Sequence, residues 1–98
     1  MRQIWKFPVG VGWTTIQVPD TNPIPRFFGV DPNDGYICVW VEVEVDTHRI
    51  PLKIQVVELG KMIEPTDRPD LIGSPELRYL GSVVDGSWVG HAYWLVGP

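Results

Sequence analysis

The spacing of proline and glycine limits what this chain can fold into more than any other feature of its sequence. The 98 residues include 10 Pro and 10 Gly, and the longest stretch without either runs from position 36 to position 50. Proline ends helices, glycine weakens them, and the longest uninterrupted stretch alternates with the period of two that is typical of a strand. The sequence therefore predicts an all-β fold with less than about a tenth of its residues in helices.

That longest stretch begins "YICVWVEVEVD", and its two faces differ in composition. The odd positions from 37 to 45 are all aliphatic, so we expect them to face the core. The even positions begin aromatic, with Tyr36 and Trp40, and end acidic, with Glu42 and Glu44. The acidic end is most simply a solvated strand end. For Tyr36 and Trp40 two interpretations stay open: burial within their own subunit, or exposure at a subunit interface or ligand surface.

The sequence predicts about seven strands, separated by turn-forming residues. Asp85-Gly86 between two apolar runs is the strongest hairpin signal and predicts that the last two strands pair. We expect the fourth and fifth strands to form a longer hairpin. Short consecutive strands favour a single small antiparallel meander, a sandwich or a partly closed barrel. The predicted strands cover residues 2–7, 14–18, 26–30, 36–46, 50–59, 77–84 and 88–96.

A single domain over residues 1–98 follows from the chain length, with one long loop at 60–76. This loop contains three Pro and two Gly and is long for so small a domain. Loops of this length are often functional, and Lys61 and Arg68 lie within it. We expect it to close over a ligand.

The overall charge excludes some classes of function. A net charge of −4 argues against general DNA binding, which requires a basic surface. The single cysteine, Cys38, permits no internal disulfide, and no segment is long and apolar enough for a signal peptide or a membrane span. We expect an intracellular protein that does not bind membranes and is complete as a small open reading frame.

No catalytic motif is present, so we expect the protein not to be an enzyme and to use no cofactor and no metal. His91 lies on a strand face that we expect to point inward, where it is a core histidine or a ligand contact. Trp94 lies on the opposite face with Gly90 and Ala92, where small residues leave room for its ring or for another subunit. Two His and one Cys are too few for a convincing metal site.

Aromatic residues are numerous for a core of this size, with 5 Trp, 3 Phe and 3 Tyr. Aromatic side chains left outside the core form a patch that self-association would cover, so we expect a homo-oligomer. Cations brought together from neighbouring subunits would meet the phosphates of a small nucleotide, and aromatic rings would stack on its base. The candidate ligand or interface residues are Tyr36, Trp40, Arg49, Lys61, Arg68, His91 and Trp94.

Three segments of the chain, in order, resemble a family of small phage and prophage proteins of unassigned function. These are "IWKFP" at 4–8, the Cys-x-Trp of the central strand, and "YLGSVVDG" with "VGHAYWL" at 79–95. The chain departs from the family pattern in its extended central strand and its longer 60–76 loop. The resemblance implies a phage origin and an all-β domain, and it supplies no catalytic residues. The matching positions are Ile4, Trp5, Lys6, Pro8, Cys38, Trp40, Tyr79, Gly81, Asp85, Gly86, Val89 and His91.

These observations lead us to expect a phage accessory binding protein that acts in the cytoplasm of its bacterial host. Its function would be to antagonise a host process, and the most specific version is evasion of host immunity by sequestering a nucleotide second messenger, as a sponge. Two alternatives remain open. One is an inhibitor that binds a host defence or regulatory protein directly, and the other is a structural phage accessory protein.

Overall fold

The computed structural model describes residues 1–19, 22–45, 48–63 and 76–96. Every regular element in these ranges is a β-strand, which confirms the predicted all-β fold. The same ranges contain no helix long and apolar enough to cross a membrane. We number the strands in chain order as β1 (Arg2–Pro8), β2 (Gly12–Pro19), β3 (Ile24–Val30), β4 (Ile37–Glu44), β5 (Arg49–Glu58), β6 (Glu76–Asp85) and β7 (Trp88–Val96).

The strands form two antiparallel sheets that pack face to face as a sandwich. The three-stranded sheet has the order β1-β4-β3, and the four-stranded sheet has the order β2-β5-β7-β6. Strands β3 and β6 lie close together at one margin, without joining the sheets into a closed barrel. Of the predicted architectures, the structure therefore confirms the sandwich.

The pairing of the strands does not follow a meander. Among the described strands, the only sequence neighbours that pair are β3 with β4 and β6 with β7. The predicted hairpin of β4 with β5 is wrong. Strand β4 is the central strand of its sheet and has β1 and β3 on its two edges, so no edge remains for β5. Strand β5 pairs instead with β2 and β7 in the other sheet.

The core lies between the sheets and confirms the predicted faces of β4. Val39, Val41 and Val43 are each 0% exposed and point toward the four-stranded sheet. That sheet contributes Ile54 and Ala92, which are equally buried. The alternation of β4 thus places its whole aliphatic face in the core.

The predicted faces of β7 are reversed in the structure. Ala92 is 0% exposed and both Trp88 and Trp94 pack against the core, so the face of these residues points inward and His91 points outward. The small residues make room for rings of their own subunit. A Cβ atom on Gly90 would lie 2.2 Å from the Trp88 ring, which occupies that space.

The hairpin of β6 and β7 confirms the turn predicted at "DGS", with its centre one residue further along. Asp85 pairs with Trp88, so the two central residues are Gly86 and Ser87. Gly86 has φ 62°, and a glycine at positive φ in the first central position is typical of a type II′ turn.

The predicted long loop at 60–76 begins after β5. The chain turns directly after that strand, where the Lys61 N–H donates to the Glu58 carbonyl at 3.0 Å. Residues 64–75, which include most of the predicted loop, lie outside the described residues.

Candidate functional site

The outward side of the four-stranded sheet carries a row of large side chains that crosses all four strands. Strand register places Trp13 beside Gln55, Gln55 beside Tyr93, and Tyr93 beside Tyr79. Directly paired residues share a face of an antiparallel sheet. We call this surface the four-stranded face, and by register and alternation it consists of Trp13, Thr15, Gln17, Pro51, Lys53, Gln55, Val57, Leu77, Tyr79, Ser82, Val84, Val89, His91, Tyr93 and Leu95.

Half of this face, on β6 and β7, is a hydrogen-bonded cluster of rings. The Ser82 hydroxyl lies 2.6 Å from His91 Nδ1 and also bonds the Tyr79 hydroxyl. The Tyr79 ring meets the Tyr93 ring edge-on, with 5.4 Å between centroids. Because each side chain is held by at least one other, the cluster presents rings and polar atoms in a fixed arrangement.

The other half of the face, on β2 and β5, contains a cavity of about 380 Å³. Gln55 and Val57 line it and are buried although they point away from the core, at 1% and 7% exposure. Lys61 and Met62 line it from beyond the end of β5. Since Gln55 pairs with Tyr93 and Val57 pairs with His91, the cavity and the ring cluster are neighbours.

The charge of the four-stranded face differs from that of the whole chain. None of the residues that register assigns to it is acidic and Lys53 is among them, whereas the cavity is lined by both Lys61 and Glu58. The chain as a whole has a net charge of −4. The face is therefore less acidic than the chain as a whole, and at the cavity one lysine is set against one glutamate whose carboxylate accepts a hydrogen bond from Trp88.

The Ser82–His91 pair has part of the geometry of a nucleophile and its base. Hydrolases that use such a pair orient the histidine with a third group, commonly a carboxylate. The four-stranded face offers no carboxylate to His91. In the described residues no group of three or more His, Cys, Asp or Glu is arranged to hold a metal ion. The arrangement is suited to binding by stacking and hydrogen bonding.

The outward side of the three-stranded sheet is a second surface with aromatic side chains. The rings of Phe27 and Trp40 are 5.3 Å apart, and Ile4 lies beside them on β1. We call this surface the three-stranded face, and it consists of Arg2, Ile4, Lys6, Pro8, Ile24, Phe27, Gly29, Cys38, Trp40, Glu42 and Glu44, with Arg26 at the β3 bulge and Asp31 and Tyr36 at one end.

The cations of the three-stranded face are paired with carboxylates. Arg2 and Arg26 both bind Glu42, at 2.5 and 3.1 Å, and Lys6 binds Asp31. The hydrogen bond from Arg2, supported by Arg26, lowers the pKa of Glu42. The hydrogen bond from Lys6 lowers the pKa of Asp31, and the same bond raises the pKa of Lys6. These pairs leave the face without an open cation for a phosphate.

The structure distributes the predicted candidate residues over several places. His91 and Lys61 lie on or beside the four-stranded face, whereas Tyr36 and Trp40 lie on the three-stranded face. Trp94 is half-buried and packs against the core, and its contact with a ligand or a subunit stays a prediction.

Two further candidates lie elsewhere. The Arg49 guanidinium stacks over the Trp5 ring at 5.2 Å and joins the two sheets at their margin. Arg68 lies outside the described residues.

Sequence reasoning missed Gln55, Tyr79, Ser82 and Tyr93 as site residues. Tyr93 could have been found, because it alternates in phase with His91. Tyr79 and Ser82 could not have been predicted to share a face, because residues three apart lie on opposite faces of a regular strand. A bulge in β6 between Tyr79 and Gly81 brings both to one face.

Cys38 is not a reactive group in this structure. It is 1% exposed, burial raises the pKa of its thiol, and its Sγ lies 3.7 Å from the Tyr36 carbonyl. It serves as a small apolar side chain of β4.

Two packed antiparallel sheets, one of which carries an aromatic, acid-free outer face, define a small all-β sandwich domain. The chain belongs to a family described as a domain of unknown function (DUF7352), whose model matches residues 1–97. No curated protein and no solved structure matches the chain.

Proposed function

We propose that this chain is a non-enzymatic binding protein that holds a small nucleotide on the four-stranded face. One observation carries the proposal: a row of aromatic rings adjoins a cavity of about 380 Å³ that is lined by Lys61 and by a single carboxylate among the described residues, Glu58, which accepts a hydrogen bond from the Trp88 indole at 3.0 Å. A nucleotide joins an aromatic base to phosphate, so it requires a stacking surface next to a cation.

Tyr93 is a stacking surface next to the cavity. It is the register partner of Gln55, which lines the cavity, and Tyr79 supports its ring from the other side. A base stacked on one aromatic side chain gains about 1–3 kcal/mol. This orientation places the rest of the ligand over the cavity.

Lys61 and the polar atoms of the ring cluster would then bind the phosphate. Lys61 lies at the cavity, and its side chain makes no ion pair with the described residues. The His91 ring, which the Ser82 hydroxyl contacts, belongs to the register partner of Val57, and Val57 lines the cavity. A phosphate between Lys61 and the His91 ring would accept hydrogen bonds from both.

The biological role that we propose follows from the phage resemblance together with this site. A protein that sequesters a second messenger requires affinity and no turnover, and among the described residues of the face no carboxylate is placed to orient His91 as turnover by the Ser82–His91 pair would need. The chain would capture the nucleotide in the cytoplasm of the bacterial host and so antagonise host defence.

A direct inhibitor of a host protein is the second candidate, and the three-stranded face favours it. Phe27 is 59% exposed next to Trp40, and the cations around them are already paired. An aromatic patch with neutralised charges is typical of protein contacts rather than of phosphate binding. A structural phage accessory protein would use the same face for assembly.

An NMR titration of the isotope-labelled chain tests the nucleotide proposal. The probes are AMP, cyclic di-AMP and cyclic di-GMP, with adenosine as the uncharged comparison. We expect at least one nucleotide to shift the backbone amides of Gln55, Val57 and Tyr93. Tyr93→Ala should weaken that binding about tenfold or more. Lys61→Ala should weaken nucleotide binding and leave adenosine binding unchanged.

Phe27→Ala on the opposite sheet is the matched control and should retain the affinity. The absence of shifts on the four-stranded face with every nucleotide at millimolar concentration would overturn the ligand assignment. Phosphorus NMR of the same samples follows the nucleotide itself, and its chemical conversion would overturn the assignment as a non-enzymatic protein.

A further inference from the structure

We propose that the three-stranded face binds the same face of a second copy of this chain. Three of its apolar side chains are largely exposed: Ile4 is 55% exposed, Phe27 is 59% exposed and Tyr36 is 67% exposed. They lie beside the half-buried Trp40 on one continuous sheet surface. Such a patch marks an interaction surface. This inference is independent of the nucleotide site, which lies on the other sheet.

Part of the patch lies low on the sheet, which suits the stacking of one sheet on another. The Phe27 ring folds down over Gly29, where an added Cβ atom would lie 2.5 Å from ring atom Cε2. The ring therefore lies along the sheet and meets Trp40 at an interplanar angle of 56°. Two sheets pack at a separation of about 10 Å when their side chains form such a layer.

The two ends of the face carry opposite excess charge. At one end Arg2 and Arg26 share Glu42, which leaves an excess of one positive charge in that group. Glu44, one step further along β4, is bound by the amino terminus of Met1.

At the other end Lys6 is paired with Asp31, and the carboxylate of Asp34 lies near the same ammonium, which leaves an excess of one negative charge. A two-fold axis near Trp40 that stacks two copies antiparallel would set the positive end of each copy over the negative end of the other. This charge complementarity selects a second copy as the occupant of the face.

The size of the face indicates the strength of the association. Three strands about 4.8 Å apart and seven residues at about 3.4 Å each give a footprint of about 14 by 24 Å. This is smaller than the roughly 800 Å² per partner of a standard interface. We therefore expect dissociation at micromolar rather than nanomolar concentration.

Size-exclusion chromatography with light scattering at about 100 µM protein tests the proposal. The wild-type chain should show twice the 11.1 kDa mass of one chain. Phe27→Glu places a carboxylate at the centre of the patch and should return the mass to that of a monomer. Tyr36→Glu, at the exposed end of the same face, should weaken association at least tenfold and provides a second variant if the first is poorly folded.

Val84→Glu is the matched control, because Val84 is 73% exposed and lies on the four-stranded face. It should remain dimeric, and circular dichroism should report the same folded spectrum for all variants. A monomeric wild-type chain would overturn the proposal and leave the face to a different partner. An assembly larger than two copies, or dissociation by Val84→Glu in place of the other two variants, would also contradict it.

Discussion

Val41 and Glu44 lie three residues apart on β4, and their side chains meet opposite environments. Val41 is 0% exposed in the core, whereas Glu44 lies at the outward, partly solvated end of the strand. We expect Val41→Asp to lower the free energy of unfolding by about 4 kcal/mol or more, because it buries a carboxylate without a partner. Glu44→Ala should cost under about 0.5 kcal/mol, since an exposed ion pair contributes little. Urea unfolding measures both, and equal losses would mean that the faces of β4 are assigned in reverse.

Asp31 and Lys6 make stability depend on pH. The hydrogen bond from Lys6 lowers the pKa of Asp31. The contribution of Asp31 to the free energy of unfolding is therefore complete above the ordinary pKa of an aspartate, and it is lost as pH falls through the lowered pKa. The pKa of Lys6 is raised, so its contribution is lost only as pH rises past that raised value. The pair therefore stabilises the fold across the neutral range and fails in acid.

Replacing the carboxylate tests this pH dependence. Asp31→Asn can still accept the Asn33 backbone N–H, but it cannot titrate. We expect the variant to be less stable than the wild type at pH 7 and to lose less stability on acidification. Urea unfolding at neutral and acid pH gives both quantities. If the variant loses as much stability in acid as the wild type does, the pH dependence belongs to other carboxylates. Glu42 is the first of these to test, because its pKa is also lowered.

At the scale of elements, the β6–β7 hairpin places the whole ring cluster. Its register brings Ser82 beside His91 and Tyr79 beside Tyr93, and the turn at Gly86 holds that register. A change of register by one residue would move every side chain of β6 to the opposite face. The geometry of the candidate site therefore depends on a turn that lies outside it.

Two glycine substitutions separate backbone strain from lack of space. Neither Gly86 nor Gly10 has an atom within 4 Å of an added Cβ, but only Gly86 is at positive φ. Gly86→Ala should destabilise the fold by about 1–2 kcal/mol, the cost of the left-handed conformation for a residue with a side chain. Gly10→Ala should be neutral or slightly stabilising. Thermal unfolding compares them, and equal midpoints would show that the turn tolerates a side chain.

At the scale of the whole molecule, the sandwich separates two surfaces of different character. The three-stranded face has exposed aromatic rings and paired charges, and the four-stranded face has rings and a cavity lined by one lysine and one glutamate, Lys61 and Glu58. The core of two sheets, about 10 Å thick, lies between them. A small domain can in this way bind a ligand on one sheet and a second copy on the other.

This separation predicts that the two activities are independent. Phe27→Glu should dissociate the dimer and leave the nucleotide-induced shifts at Tyr93 unchanged, while Tyr93→Ala should weaken nucleotide binding and leave the mass unchanged. Effects at sites more than about 10 Å apart with no shared contact usually add. The Phe27→Glu/Tyr93→Ala double variant should therefore be monomeric and bind nucleotide as weakly as Tyr93→Ala alone. Loss of nucleotide shifts in Phe27→Glu would show that the site is completed by the second copy.

Part of the candidate site could be read from the sequence. His91 and Lys61 were identified as candidates, and the aromatic side of β4 was identified as a surface of interest. The partners of His91 could not be found, because Ser82 lies nine residues away across a hairpin and shares a face with Tyr79 only through the β6 bulge. The bulge shifts the alternation of β6 by one residue, and a regular period of two does not predict where that shift falls.

The sequence by itself determined the strands, the β6–β7 hairpin and the aliphatic core face of β4. Alternation, proline and glycine positions and turn residues act over a few neighbouring residues, so they can be read locally. Only the tertiary structure decided the strand order, the inward face of β7 and the meeting of the cavity with the ring cluster. These features depend on which strand edges and which volumes remain free after the other strands have packed. Because β1 and β3 pair with both edges of β4, no edge is left for β5. Because the Trp88 ring fills the space over Gly90, that side of β7 faces the core and His91 faces outward.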